Sequence, residues 1–168
     1  MISARAYSAC LRGQLSSNVR PHTGKTVATP AALKYIWTSP ASAVGLTLAA
    51  AALMVGARTR MHTGVLEVSL RPRSAGLAKV IARMPFSAIT FGHVVVARNE
   101  KEQAALRVHE RVHVCQYEAW GALFLLAYPA ESLIQLLLRR HPYRDNRFEV
   151  SARAAEARLA LAGGTSGA

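Results

Sequence analysis

The sequence predicts an α+β fold in which a short β-sheet precedes two helices, with an apolar segment ahead of the sheet. Two segments, 64–70 and 87–97, are rich in β-branched residues and bounded by Gly and Pro, which is typical of strands. An amphipathic stretch follows from residue 100, and a second helix-start pattern occurs near residue 146. The segment 41–57 contains no charged residue.

The chain begins with a basic leader, residues 1–40, which has no acidic residue and is rich in Ser, Thr, Ala and Pro. This composition buries little apolar surface, so we expect disorder, and it is also typical of a transit peptide. The uncharged segment 41–57 is at the short limit for a bilayer-spanning helix, and its seven alanines make it weakly hydrophobic. We interpret it as a membrane anchor in preference to a buried alanine-rich helix. Basic residues on both sides leave its orientation open.

The formal net charge of +12 is unevenly distributed. Residues 1–98 contain twelve Lys and Arg with one acidic residue, whereas residues 99–156 contain eight of each sign. No basic stripe interleaved with aromatic residues accompanies the excess charge, so the sequence argues against nucleic acid as a partner.

The chain has two cysteines, Cys10 in the leader and Cys115 in the amphipathic stretch. They do not make the framework of a disulfide-rich domain, and no CxxC pair is present. We expect Cys115 to be a small core residue.

The elements around the strands follow from local signals. Residues 71–76 are turn-like, and 77–84 fit either a short helix or a third strand. Asn99 is a candidate N-cap for a helix that begins at Glu100 and ends near residue 120, before a glycine.

The apolar segment 122–138 is interrupted by Pro129 and Glu131. A clean membrane span does not carry a proline and a carboxylate in its middle, so we interpret the segment as a buried or membrane-surface helix, with a second span less favoured. A last helix is expected from about 146 to 161, and residues 162–168 are expected to be a flexible tail.

The predicted helix from residue 100 carries the pattern HExxH at residues 109–113. Residues four apart lie on the same face of a helix, so His109 and His113 can bind one metal ion, with Glu110 beside them. Two neutral imidazoles and a carboxylate that takes a proton from metal-bound water are the parts of a zinc hydrolase. The pattern therefore predicts a Zn²⁺ site with Glu110 as general base. The alternative is an exposed helix with two unrelated histidines.

A catalytic zinc site takes a third protein ligand. Glu118 lies too close on the same helix to reach the metal. The candidates further along the chain are Glu131 in an apolar context, Glu149 at the start of the last helix, and Glu156 two turns later. Glu149 also fits a capping box with Asn146, a common helix-start pattern that involves no metal.

The motif HExxHVxQ at residues 109–116, followed by FExxA at 148–152, resembles the gluzincins, which are zincin metallopeptidases with Glu as third ligand. Small bacterial proteins with HExxHxxQ and a later FExxA are the most similar. The resemblance extends over residues 60–156. One departure is Arg153, which stands where an acidic residue usually follows ExxA.

The resemblance implies a zincin-like metal-binding domain at residues 60–161. It implies His109, His113 and Glu149 as metal ligands and Glu110 as general base. Glu156 and Glu131, which come from the sequence alone, are the alternative third ligands. For an anchored bacterial protein it implies association with the inner membrane.

Three further residues are candidates for supporting roles. Asp145 is expected to accept a hydrogen bond from a ligating imidazole or to shape a turn. Tyr143 is expected to stabilise the oxyanion or to pack, and Gln116 to hydrogen-bond the site or to cap a backbone group. His93, on the second strand, is expected to be a core histidine.

The sequence thus predicts a zinc-dependent metallopeptidase that cleaves a peptide or protein substrate. The alternative is a non-catalytic, membrane-associated metal-binding or interaction protein on the same fold. The small size of the chain favours that alternative, because little room is left for substrate subsites.

Overall fold

In the computed structural model, helix α1 (Ala31–Met54) precedes a four-stranded sheet, and three helices follow it. The strands are β1 (Arg58–His62), β2 (Val65–Ser69), β3 (Ala88–Phe91) and β4 (Val94–Ala97). The later helices are α2 (Glu100–Trp120), α3 (Phe124–Leu137) and α4 (Arg147–Gly164), with a 3-10 turn at Gly121–Leu123. The structure describes residues 31–71 and 86–164, together with Tyr7, Cys10, Leu11, Gly13, Gly76, Lys79, Val80 and Arg83. The α+β class is confirmed.

The sheet has the strand order β1-β2-β4-β3. The outer pairs, β1 with β2 and β3 with β4, are antiparallel, and the central strands β2 and β4 are parallel. The central strand β4 is buried throughout, which explains its run of valines. Among the described strands, β3 is an edge strand that pairs only with β4.

The prediction of one strand at 87–97 is wrong, because the chain reverses within it. Gly92 has a φ of +59°, and the turn at Gly92-His93 joins β3 to β4. A side chain at Gly92 would collide with Ser42 of α1. Strand β1 was not predicted, because its sequence RTRMH has no apolar alternation and is mostly exposed. Within residues 77–84, the described residues Lys79 and Val80 are helical.

Helix α1 begins ten residues before the predicted segment 41–57, so residues 31–40 belong to a helix rather than to the leader. The basic residue Lys34, which suggests a boundary in the sequence, forms an ion pair of 2.9 Å with Glu118 of α2. One face of α1 is buried against the protein and the other is exposed. The helix is therefore part of the domain along its length.

In the part of the chain that the structure describes, two helical stretches are long and apolar enough to cross a membrane, Leu33–Met54 and Glu100–Leu137. The criterion is length and composition only, and the core helix of a soluble protein or a signal sequence meets it as well.

At the other end of the chain, helix α4 continues to Gly164. Residues 162–164 of the predicted tail are therefore helical, and its last four residues lie outside the described part of the chain. Helix α4 packs on α2 through small residues, because Ala152 and Ala155 contact Val112 and Cys115. Alanines permit the close approach that brings the beginning of α4 beside the HExxH face.

A disulfide joins Cys10 to Cys115, contrary to the expectation from sequence. Tyr7 and Leu11 are buried in the same cluster as the α2–α4 contact, so the prediction of a disordered leader is wrong for these residues. Spacing alone gives no sign of the pairing, because 105 residues separate the two cysteines.

Replacing Cys10 with Ser is expected to lower the free energy of unfolding by about 2–4 kcal/mol, because the bond closes a long loop in the unfolded chain. Chemical denaturation with and without a thiol reductant measures the loss. Reductant should leave the Cys10→Ser variant unchanged. An equal effect of reductant on both proteins would contradict the disulfide.

Candidate metal centre

The side chains of His109, His113 and Glu149 meet at one point between α2 and α4. The Nε2 atoms of the two histidines are 3.2 Å apart. Glu149 places Oε2 3.2 Å from His109 Nε2 and Oε1 3.2 Å from His113 Nε2. Ligand atoms bound tetrahedrally to one zinc ion at 2.0–2.1 Å lie about 3.3 Å from each other. The three side chains therefore have the spacing of a metal triad, and all three are buried.

The buried carboxylate of Glu149 supports this interpretation. Its side chain is 1% exposed, yet Oε2 accepts no hydrogen bond of acceptable geometry from any described residue. The close imidazole nitrogen of His109 is at contact distance but is not directed at this oxygen. A buried oxygen without a hydrogen-bond donor is expected when the oxygen and the nearby nitrogen are both directed at a metal position between them. The donor set of two imidazoles and one carboxylate suits Zn²⁺.

Glu149 is not part of a capping box. The helix start is capped instead by Asn146, whose Oδ1 accepts a hydrogen bond from the Phe148 backbone N–H at 2.9 Å. Asn146 also donates to the backbone oxygen of Tyr128 and to Ser132 Oγ, at 3.1 and 2.8 Å. These bonds fix the first turn of α4 against α3, which directs Glu149 toward the histidines.

The charge of Glu149 is stabilised by its neighbours. Burial alone raises the pKa of this carboxyl, but the adjacent imidazoles of His109 and His113 outweigh that effect, and the pKa lies well below the usual range. The carboxylate is therefore ionised, which is the form that binds a metal.

Each histidine has a partner on its Nδ1 atom. Gln116 Oε1 is 2.8 Å from His113 Nδ1, and the Gln116 amide nitrogen donates to the Phe148 backbone oxygen and to Ser151 Oγ, each at 3.0 Å. The Gln116 amide nitrogen donates to two acceptors, so Oε1 is the atom that faces the imidazole. Nδ1 of His113 therefore carries the proton, and Nε2 of His113 is left to bind a metal. The structure shows both roles expected for Gln116, because Oε1 contacts the His113 imidazole and the amide nitrogen bonds a backbone oxygen.

The corresponding partner of His109 is Glu156, whose Oε2 lies 3.4 Å from His109 Nδ1. This residue, expected as an alternative ligand, lies outside the triad, on the far side of the His109 imidazole. Asp145 has no contact with the imidazoles; its carboxylate accepts a hydrogen bond of 2.8 Å from the His141 backbone N–H and shapes a turn. Of the two roles expected for Asp145, the structure shows the turn.

Glu131 lies outside the triad. Its Oε1 accepts a hydrogen bond of 2.7 Å from Gln135 on the next turn of α3, and Arg147 Nε is 3.3 Å from the same oxygen. His93 is a core histidine, as expected. It lies between Thr38 Oγ1 at 3.0 Å and Glu118 Oε1 at 3.3 Å, and connects α1 to α2.

Glu110 lies on the same face of α2 as the triad and lines the adjoining cavity. Thr90 of β3 donates a hydrogen bond of 2.7 Å to Glu110 Oε2. The edge strand thereby binds Oε2 of Glu110, and Oε1 is the oxygen left to accept a further hydrogen bond or a proton. Thr90 was not among the residues expected from sequence, because nothing local relates a threonine in a strand to a glutamate twenty residues later.

Two tyrosines stand near Glu149. Tyr128 of α3 donates a hydrogen bond of 2.8 Å to Glu149 Oε1, a contact that the apolar sequence around it did not suggest. Tyr143 is half-exposed and lines the cavity. Burial together with the nearby Glu149 carboxylate raises the pKa of Tyr143 to about 12, so its hydroxyl remains a hydrogen-bond donor at neutral pH.

The cavity beside the triad has a volume of about 770 Å³. Strand β3 forms one wall through residues 88–91, and α3 forms the opposite wall through Phe124, Leu125, Tyr128 and Pro129. The triad and Glu110 lie between the walls. The space is large enough for a peptide segment and mostly apolar.

Replacing Tyr128 with Phe is expected to weaken zinc affinity by roughly 10–100-fold, because a residue that hydrogen-bonds a ligand orients it and sets its basicity. Competition with a chromogenic chelator measures the affinity. Tyr117→Phe is the matched control: Tyr117 is also buried and lines the cavity, without a bond to Glu149. Equal losses in both variants would show that Tyr128 acts only by packing.

No protein-family model, curated protein or solved structure matches this chain. The class of the protein is therefore inferred from the residues of the site and their geometry.

Proposed function

We propose that this protein is a zinc-dependent metallopeptidase. The observation that carries the proposal is the convergence of His109, His113 and Glu149 with 3.2 Å between ligand atoms, beside a carboxylate that is not a ligand. Three protein ligands leave one position of a tetrahedral ion for water, which distinguishes a catalytic zinc site from a structural one.

In this proposal, His109, His113 and Glu149 would hold a zinc ion, which would supply a Lewis acid able to lower the pKa of a water and to polarise a carbonyl. Glu110 takes the proton of the attacking water and delivers it to the leaving amine, first as base and then as acid. Thr90 holds one oxygen of Glu110, so the other is directed at the reacting group. Tyr143 is placed to donate a hydrogen bond to the developing oxyanion.

A peptide substrate is supported by the position of β3. This strand is an edge of the described sheet and forms a wall of the cavity, with Thr90 in contact with Glu110. An extended peptide can add to such an edge by main-chain hydrogen bonds, which positions a backbone amide over the site.

We also propose that the peptidase is associated with a membrane, the inner membrane if the resemblance to bacterial proteins holds. Exposed apolar side chains on α1 and α3 support this association.

The test uses the full chain purified in mild detergent. We expect one zinc per chain by mass spectrometry of the metal, cleavage of a fluorogenic peptide library, loss of cleavage on chelation, and recovery on adding zinc. Stoichiometric zinc without cleavage would support the non-catalytic alternative. A chain that neither retains nor takes up zinc would contradict the peptidase proposal and leave only an interaction protein without a metal.

A further inference from the structure

The buried face of α1 is a stripe of small residues. Thr38, Ala41, Gly45, Ala49 and Ala52 are buried and recur every three or four residues, which places them on one side of the helix. The stripe extends over most of α1. It lets the helix lie close against the rest of the protein.

The contacts of this stripe continue from one end of α1 to the other. Near the start, Lys34 pairs with Glu118 of α2. In the middle, a Cβ at Gly45 would lie 2.6 Å from Val94 Cβ of β4, so only glycine permits this approach. Near the end, Ala49 and Ala52 belong to a core cluster with residues of β2 and β4. Helix α1 therefore lies along the sheet and does not project from the domain.

Outside this stripe, α1 carries large apolar side chains that the described residues cover only in part. They are 41–68% exposed. These exposed apolar residues of α1 are Leu33, Ile36, Trp37, Val44, Leu46, Leu48 and Leu53.

Helix α3 has the same two-sided arrangement. Its inward residues Phe124, Glu131 and Gln135 are buried. Its outward residues, which are 46–75% exposed, are Leu126, Leu133, Ile134, Leu136 and Leu137. Trp37 of α1 packs over Gly121, where α2 passes into α3, so the two exposed surfaces adjoin there. We call the exposed apolar residues of α1 and α3 the apolar surface.

Exposed basic residues lie at one end of the apolar surface, where Arg139 and Arg140 directly follow α3. Arg58 and Arg60, which follow α1, lie instead on the other face of the sheet, beside Glu67 and Glu100. An apolar surface with cationic residues at one end complements the acyl chains and the anionic headgroups of a bilayer. A protein partner does not require this distribution of charge.

We propose that α1 and α3 lie parallel to the plane of an anionic lipid bilayer, with the apolar surface in the boundary between headgroups and acyl chains. If α1 crossed the bilayer, the sheet packed along it would be drawn into the hydrocarbon together with the charged pair Glu67–Arg107. Helix α3 has 14 residues, or about 21 Å at 1.5 Å per residue, which is short of the roughly 30 Å of the hydrocarbon. This orientation rests on the proposed membrane association and specifies how the protein lies on the bilayer. It does not depend on the zinc chemistry.

The orientation of α1 is tested by the depth of tryptophan in the bilayer. The chain has two tryptophans, so Trp120→Phe leaves Trp37 as the only reporter. A second protein carries Leu48→Trp with Trp37→Phe and Trp120→Phe. Both are reconstituted in vesicles of phosphatidylglycerol and phosphatidylcholine brominated at different acyl positions. Parallel placement predicts the same shallow depth for residues 37 and 48. A spanning helix predicts depths that differ by about 16 Å, since the residues are eleven apart, and would overturn the proposal.

The contribution of α3 is tested by flotation with vesicles of phosphatidylglycerol and phosphatidylcholine. The double substitution Leu126→Ser and Leu133→Ser is expected to reduce partitioning at least tenfold, and phosphatidylcholine alone is expected to bind more weakly. Leu161→Ser is the control, because Leu161 is 74% exposed but lies on α4. Failure of the wild-type chain to float would overturn the proposal. A dimer that dissociates on the same double substitution would identify a second copy as the occupant of the apolar surface. Neither result depends on zinc or cleavage, so the peptidase proposal is tested separately.

Discussion

Replacing Glu110 with Gln is expected to reduce peptide hydrolysis by at least roughly 10²–10⁴-fold while zinc remains bound, which is the usual contribution of a general base. Gln has nearly the shape of Glu, and its amide can keep the hydrogen bond with Thr90 that the carboxylate accepts. It has no basic oxygen to take a proton from water. The measurement is kcat on a fluorogenic peptide, with metal content determined on the same samples.

The matched control is Glu100→Gln, which removes a carboxylate from the exposed first turn of the same helix. It should retain both zinc and activity. If Glu110→Gln keeps full activity, the assignment of Glu110 as base is wrong, although the metal triad is untouched. If Glu110→Gln loses zinc, Glu110 contributes to binding rather than to catalysis.

Replacing Glu149 with Gln is expected to reduce zinc affinity by more than about 100-fold, because the loss of a direct ligand exceeds the 10–100-fold cost of losing a residue that orients one. The two histidines are then left without their charged partner in a buried position. Zinc should also stop stabilising the variant against denaturation. For the wild-type chain, zinc at a thousand times its dissociation constant is expected to add about 4 kcal/mol.

The alternative ligands provide controls for this result. Glu131→Gln should leave zinc affinity unchanged, because Glu131 bonds Gln135 and Arg147 instead of the triad. Glu156→Gln should have an intermediate effect, since its carboxylate contacts the far nitrogen of His109. A loss in Glu131→Gln equal to that in Glu149→Gln would show that the ligand set has been misassigned.

The parts of the site that sequence predicted are those governed by helical periodicity. His109 and His113 are four residues apart, so their common face follows from helix geometry. Glu149 was proposed from its position at a helix start and from the resemblance to gluzincins. The alanines of α4 that face α2 make the meeting of the two helices possible.

The site residues that could not be predicted from the sequence lie on other helices and strands, and tertiary packing sets the positions of these elements relative to α2. Thr90 belongs to a strand that was expected to continue to residue 97, and the reversal at Gly92 makes β3 an edge that meets Glu110. Tyr128 lies in a run of apolar residues, where its hydroxyl gives no periodic signal. Glu156 was proposed as an alternative ligand. The rotation of α4 about its axis, which the sequence does not specify, places the Glu156 carboxylate beside His109 Nδ1.

The disulfide between Cys10 and Cys115 bears on the kind of compartment in which the chain adopts this structure. Disulfides form and persist in oxidising compartments, and thiols stay reduced in the cytosol. Cys115 lies on α2 two residues after His113, in the cluster that joins α2 to α4. The bonded form is therefore the one that an oxidising compartment favours. In a reducing compartment the same chain would keep two thiols, and Cys10 would lose its covalent bond to α2.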